Sequence, residues 1–367
     1  FPIFDAAAGS WLTGEDAYAP RPDLDVYRYS PTVTVLFVPF HLLGERLGGV
    51  AWRLVSGAVL AAALAGMAKA LARNPADAND NRRRRALLFL LVLPLAVGNL
   101  NNGQSNLLVL GLLVAAVTAA ARDRWTLAAV SVAVACLFKV YPVSVGLLLA
   151  VLYPRRFSFR FAAALAVGLL LPFLFQRPAY VAGQYLSWLE HLRHDDRTLL
   201  PLDLWYRDFR LLCRVWWRPL SPAGYLAVQL GAAAFIARLC LAGQRAGWPR
   251  RRLLALLLAL ACCWMTALGP AAESSTYVLL APGLVWWMLE ARRYRLARAA
   301  LGSAYGLLIL THVAAWFPFG RLVHGCGPHP VAGLLCLAAL AGMSLRALAR
   351  PEPAAEEPAP PTAARAA

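Results

Sequence analysis

The chain has 367 residues, of which 60% are hydrophobic and 15% charged, and its mean hydropathy is +0.56. That balance excludes an ordinary soluble domain, because long apolar runs need lipid or a very large core to cover them. The net charge of +17 comes mostly from arginines in short, separated clusters, which speaks for membrane topology and anionic-lipid contact and against nucleic-acid binding.

Residues 1–30 are polar, with a helical patch expected near Ala6–Leu12 and a turn at Thr13–Asp16. Five carboxylates fall here: Asp5, Glu15, Asp16, Asp23 and Asp25. Any one of them near a membrane surface has the chemistry to take a proton from a hydroxyl, although a solvated loop acid is the ordinary alternative. Tyr27-Arg28-Tyr29-Ser30-Pro31 follows at the point where the chain enters the membrane. Arginine forks around phosphate oxygens, and tyrosine donates or stacks, so this stretch suits an anionic lipid-linked ligand or a plain interfacial anchor. Pro31–Gly44 is apolar but broken by Pro39 and His41. It is too short for a full crossing and reads as a half-span or interfacial helix.

The expected spans then run through Val50–Ala70, Leu87–Val97, Leu107–Ala121, Phe161–Phe175, Ala223–Ala242, Leu253–Leu268, Tyr277–Leu289, Ala299–Ala315 and Val331–Leu345. Lipid offers no partner to an open backbone, so these are helices; the two-residue alternation of an outer-membrane barrel is absent. Between the second and third, Asn99 to Asn106 packs four asparagines, Gln104 and Ser105 into eight residues. Helix capping explains one or two of these amides; the rest suit sugar hydroxyls. Trp125–Tyr153 is too long for one ordinary span and carries Lys139-Val140-Tyr141-Pro142 at its middle. Two half-crossings with Lys139 at the tip are expected, against one long tilted helix. A lysine between apolar half-spans is costly, and phosphate binding is the function expected of it; snorkelling to the surface is the alternative. Gln176–Pro222 is the longest polar loop, and its His194-Asp195-Asp196 reads as solvated. Gly269 to Tyr277 makes a polar turn in which Glu273 either caps the next helix or binds a sugar. His312, His324 and His329 make no convincing metal set, and no metal or cofactor is expected. The seven cysteines lack metal spacing, with a disulfide between Cys213 and Cys326 as one possibility.

The basic clusters are Arg82–Arg85, Arg122/Arg124, Arg155/Arg156, Arg250–Arg252, Arg292/Arg293/Arg295 and Arg346/Arg350. Held together on the cytoplasmic side, they place residues 1–30, 99–106, 139–142, 176–222, 269–276 and 318–330 on the far side. The chain is therefore expected to be an all-α membrane protein of about ten spans or half-spans, one polytopic domain over residues 1–350. Loop 176–222 is expected to cover an outward-facing site, and a disordered cytoplasmic tail to occupy residues 351–367.

Taken in order, several motifs resemble the polyprenol-phosphate-mannose-dependent mannosyltransferases of glycosyltransferase family 87, within the GT-C superfamily. They are Ala7-Ala8 through Leu12, with Gly14, Asp16 and Tyr18; Tyr29-Ser30-Pro31; Gly103-Gln104 with Asn106; Lys139 with Tyr141-Pro142; and Glu273 through Tyr277, followed by Leu280-Ala281-Pro282. The resemblance implies a GT-C-like helical bundle in a bacterial plasma membrane. It implies transfer of a sugar, mannose in the family, from a polyprenyl-phosphate donor to a lipid or glycan hydroxyl. The partners so implied are the donor, the acceptor and membrane lipids, with no nucleic acid. It also implies substrate contacts at Tyr29, Gln104, Asn106, Lys139, Tyr141 and Glu273, to which the chemistry of arginine adds Arg28. The family pattern opens with an Asp directly before its Phe-x-x-Phe/Tyr stretch, as the general base. This chain starts at Phe1, so the base is expected just upstream, in a chain truncated at its N-terminus or trimmed of a signal peptide. Asp5 and Asp16 are the weak in-chain candidates. The runner-up is a polyisoprenoid or lipid-linked sugar transporter, which should line a polar route through both leaflets; the apolar cytoplasmic halves of the spans argue for the enzyme. An assembly or scaffold subunit would leave the polar outer loops without a purpose.

Overall fold

A computed structural model describes residues 1–71 and 77–350. The tail read as disordered lies outside the described residues. The described chain is helical without strands. Among the described residues, seven helices are long and apolar enough to cross a membrane, beside several shorter apolar ones.

The polar entry folds as α1 (Pro2–Thr13), started by a proline in its first turn and stopped at Gly14, whose φ of 79° closes the helix in the left-handed conformation. An extended stretch leads to α2 (Pro31–Leu42), with Pro39 inside it. Ser30 Oγ donates to Leu137 O at one end of α2, and at the other end Phe40 O lies against Gly48, next to Phe1. Both ends thus stay near the same polar region, and α2, at 12 residues, is too short for a full crossing.

The bundle then runs through α3 (Gly44–Ala70), α4 (Ala78–Asn101), α5 (Asn106–Ala121), α6 (Trp125–Phe138), α7 (Val143–Leu152) and α8 (Pro154–Leu170). The α4 start is capped by Asp77, which accepts from Asp80 N. α6 and α7 are two separate helices: the backbone turns extended at Lys139, and Pro142 leads into α7. Two helices broken at Lys139 are what form, and not one long helix. α5 is apolar all round and buried along nearly its whole length, as a helix at the bundle centre must be. It packs on α3 at Gly111, where a Cβ would stand 2.9 Å from Val59 and 3.1 Å from Leu60.

Loop 176–222 is not a plain coil. It carries α9 (Pro178–His194), amphipathic and basic at its end, and α10 (Phe209–Trp216), capped by Asp208. Next come α11 (Pro222–Arg245), α12 (Arg250–Cys263), α13 (Ala281–Glu290), α14 (Arg295–Ala314), α15 (Gly320–Gly325) and α16 (Pro328–Ala349). α12 is the second central helix, buried throughout from Leu253 and prolonged by a wider turn over Trp264–Leu268. Cys213 is a buried free thiol and Cys326 an exposed one, so they form no disulfide.

The basic clusters gather at one end. Arg84 pairs with Asp80 and Glu290, and Asp123 holds both Arg156 and Arg250. Gln244 Nε2 reaches Leu152 O at the same end. At the opposite end Trp52 Nε1 donates to Gly103 O, and Asn99 Nδ2 to Ser275 O. A membrane-impermeant maleimide applied to intact cells is therefore expected to label exposed Cys326, and to leave Arg83→Cys unlabelled in a Cys326→Ser background. Labelling at position 83 from outside would reverse the orientation.

Candidate active site

The end of the bundle away from the arginine clusters opens into a cavity of about 690 Å³. Its floor is aromatic. Phe4 stacks on Phe37 with centroids 4.2 Å apart, and Tyr29 lies 4.6 Å from Phe4. Trp52 stacks on Phe138 at 6.0 Å. This cluster ties α1, α2, α3 and α6 to one another, and so fixes the loops that leave them.

The Asn102–Gln104 turn is fastened to α3 by Trp52 and by Arg53, whose Nη2 donates to Asn101 O at 2.9 Å. Gly103 has φ +61°, and a Cβ there would stand 3.3 Å from the Phe1 nitrogen. Only glycine suits that turn. Gln104 lines the cavity beside Phe1. Asn106 does not: it is fully buried, donating to Asn99 Oδ1, to Gln104 Oε1 at 2.9 Å and to Ser275 Oγ. Its place is beneath the wall, holding the residue that reaches the cavity.

Lys139 stands at the break between α6 and α7. Its Nζ lies 6.0 Å from the Tyr29 ring and 5.7 Å from the Tyr141 ring, and it makes no ion pair within 4.0 Å among the described residues. Tyr29, Lys139 and Tyr141 all line the cavity. Burial pushes the Tyr29 phenol up to about 12, so it stays protonated. Glu273 caps the short helix that starts at Ser274 and also faces the cavity, so its capping and site positions coincide.

Arg28 is held more tightly than its sequence suggested. Its Nε donates to Asp195 Oδ2 at 2.9 Å, and its Nη1 meets Asp25 at 3.2 Å. Burial works against its charge, but Asp195 and Asp25 outweigh it and raise its pKa. Burial likewise works against the Asp25 carboxylate, and Arg28 still holds it below the usual range.

The two in-chain acids considered for catalysis lie elsewhere. Asp5 Oδ1 pairs with His41 Nδ1 at 3.0 Å, and Asp16 takes the Tyr18 amide and the Ser187 hydroxyl. Neither lines the cavity.

Loop 176–222 supplies what local reading missed. Asp195, Asp196, Arg197, Tyr206, Asp208 and Arg210 are all on the cavity wall. Asp195 is not a solvated acid: its side chain is 15% exposed, and it accepts from Arg28 and Tyr206. Arg197 bridges to Glu273 at 3.1 Å and lies 4.5 Å above the Tyr206 ring. Burial raises Asp208 to about 6. The loop is fastened on two sides. α9 grips the N-terminal segment through Trp188 Nε1 to Arg28 O and Tyr180 OH to Glu15 O. Arg207 N donates to Ala272 O, and the Tyr277 hydroxyl lies 2.6 Å from Arg207 O. A pattern of polar and aromatic residues was visible over 176–222, but no spacing tied any one of them to Arg28 or Glu273.

The cavity can hold a polar group about the size of a sugar phosphate. It offers a lysine free of ion pairs among the described residues, carboxylates for hydroxyls or protons, and aromatic faces.

The model of glycosyltransferase family 87 matches residues 27–268. No curated protein matches the chain. Among solved structures, the chain is similar to ArnT from Cupriavidus metallidurans bound to undecaprenyl phosphate. The two are 13% identical, with 94% of this chain and 72% of that one covered and a TM-score of 0.42.

Proposed function

The chain belongs to glycosyltransferase family 87, and from that premise we propose that it moves mannose from a polyprenyl-phosphate donor to a lipid or glycan hydroxyl at the outer face of a bacterial plasma membrane. The observation that carries the proposal is Lys139: a cavity-lining lysine without an ion pair among the described residues, at the break between two apolar helices. A phosphate diester carried on an isoprenoid chain matches that place. Its charge would meet Lys139 and its chain would lie among the helices.

In the proposed reaction the acceptor oxygen attacks the anomeric carbon from the face opposite the phosphate. A new carbon–oxygen glycosidic bond forms as the bond from that carbon to the phosphate oxygen breaks. The acceptor proton passes to a carboxylate, and the polyprenyl phosphate leaves with the bonding pair. The configuration inverts. Lys139 stabilises the charge that builds on the phosphate. Gln104 and Glu273 hold sugar hydroxyls, Tyr29 and Tyr141 shape the wall, and Asn106 acts through Gln104. Phe1 lines the cavity beside Gly103. The arginine clusters at the other end support an outward orientation.

The test uses the full-length protein in proteoliposomes with radiolabelled polyprenyl-phosphomannose and membrane lipid extract. Label is expected to move to a lipid or glycan product, with stoichiometric release of polyprenyl phosphate. Donor that crosses the bilayer with its sugar still attached, and no new product, would support a transporter instead.

A further inference from the structure

We infer that Asp195 and Arg28 together form a subsite for a vicinal pair of sugar hydroxyls, not for the phosphate; this rests on the reading of the cavity as a polyprenyl-phosphate sugar site. Asp195 ends α9, and its Oδ2 takes both the Arg28 Nε, at 2.9 Å, and the Tyr206 hydroxyl, at 2.6 Å. Those two bonds fix the carboxylate plane. Its other oxygen, Oδ1, accepts no hydrogen bond from the described residues. On the guanidinium, Nε and Nη1 are engaged by Asp195, Asp25 and Val26 O, while Nη2 has no partner among the described residues. Both side chains line the cavity. One open acceptor and one open donor therefore sit side by side on a rigid pair. A hydroxyl gives one hydrogen bond and takes others, so two neighbouring hydroxyls complement this arrangement: one donates to Oδ1, the other accepts from Nη2.

A phosphate does not complement it. Arg28 is already paired with two carboxylates, Asp25 and Asp195, and the neighbouring Arg197 with Glu273, so the cations of this corner are engaged and give an anion little to bind. Lys139 carries no such neighbours within ion-pair distance among the described residues. The cavity is thus divided, with the anion at Lys139 and the polyol at Arg28–Asp195. The second half depends on Tyr206 as a positioning residue, because its hydroxyl holds Oδ2 in place. Tyr206 is itself covered by the Arg197 guanidinium.

The experiment measures binding of two probes, undecaprenyl-phosphomannose and undecaprenyl phosphate, to the full-length protein in nanodiscs. Asp195→Asn keeps the side-chain volume. It is expected to weaken the sugar-bearing probe by about 10- to 100-fold and to change undecaprenyl phosphate by less than about twofold. Tyr206→Phe should act in the same direction by about threefold. A series of monodeoxy-mannose donors then localises the contact. One of them should bind wild type roughly tenfold more weakly, and lose little more on Asp195→Asn. Equal weakening of both probes would show that Asp195 merely holds the loop, and would overturn the subsite, as would deoxy losses that all persist undiminished in the variant. Wild type that binds undecaprenyl phosphate with no gain from the sugar overturns the subsite alone. Wild type that binds neither probe overturns the donor reading beneath it.

Discussion

Replacing Lys139 by Ala is expected to cut sugar transfer by about 100-fold or more, while the protein still reaches the membrane in normal amounts. Two arguments set this direction. First, a lysine placed among apolar half-helices costs about 2.5–3.5 kcal/mol on insertion scales, so removing it should not harm folding. Second, its ammonium faces the rings of Tyr29 at 6.0 Å and Tyr141 at 5.7 Å, with no carboxylate within ion-pair distance among the described residues. Replacing it therefore breaks no direct ion pair among those residues. In transfer the departing polyprenyl phosphate would lose its cation at the moment its charge is greatest. Lys139→Arg should recover part of the rate, since the charge returns but its fork differs from a point ammonium. The measurement is initial transfer rate in membranes at limiting donor, beside expression level. A wild-type rate for Lys139→Ala would show that the lysine only snorkels.

Asn106→Leu is expected to act the opposite way, on the fold first and on activity through it. The Asn106 amide is fully buried and donates to Asn99 Oδ1, Gln104 Oε1 and Ser275 Oγ. Leucine leaves a buried Asn99 oxygen without its donor, and each such orphaned group costs about 1–3 kcal/mol. The loss should total about 3 kcal/mol and lower the melting temperature in detergent by about 4 °C. Transfer should fall further than the surviving fold explains, because Gln104 and the turn at Ser275 lose their shared anchor. An unchanged melting temperature would mean that the amides are not a fastening.

Much of the architecture was legible from residues close together in the chain. The apolar runs, the break at Lys139-Val140-Tyr141-Pro142 and the one-sided arginines act locally. A span needs only its own length and hydrophobicity, a proline stops a helix within a turn, and each short loop feels the membrane potential and lipid charge separately. The side of the membrane then sorts the motifs, which is why Phe1–Ser30, Gln104, Lys139 and Glu273 could be placed on one cavity before any packing was known. The family pattern added a common purpose by resemblance.

What tertiary structure alone decided is which polar group meets which. Asp195 is 167 residues from Arg28, and Arg197 is 76 residues from Glu273. No periodicity relates such positions, so the loop acids looked solvated when one of them is a fixed part of the wall. The same holds in reverse for Asp5 and Asp16, which looked free and are taken by His41 and Ser187, and for Asn106, which looked like a ligand and is buried under one. Lipid and local stereochemistry determine each helix on its own. The partner of a side chain is set by how the helices and the loop 176–222 pack, because a hydrogen bond is satisfied by whatever group the fold brings within about 3 Å.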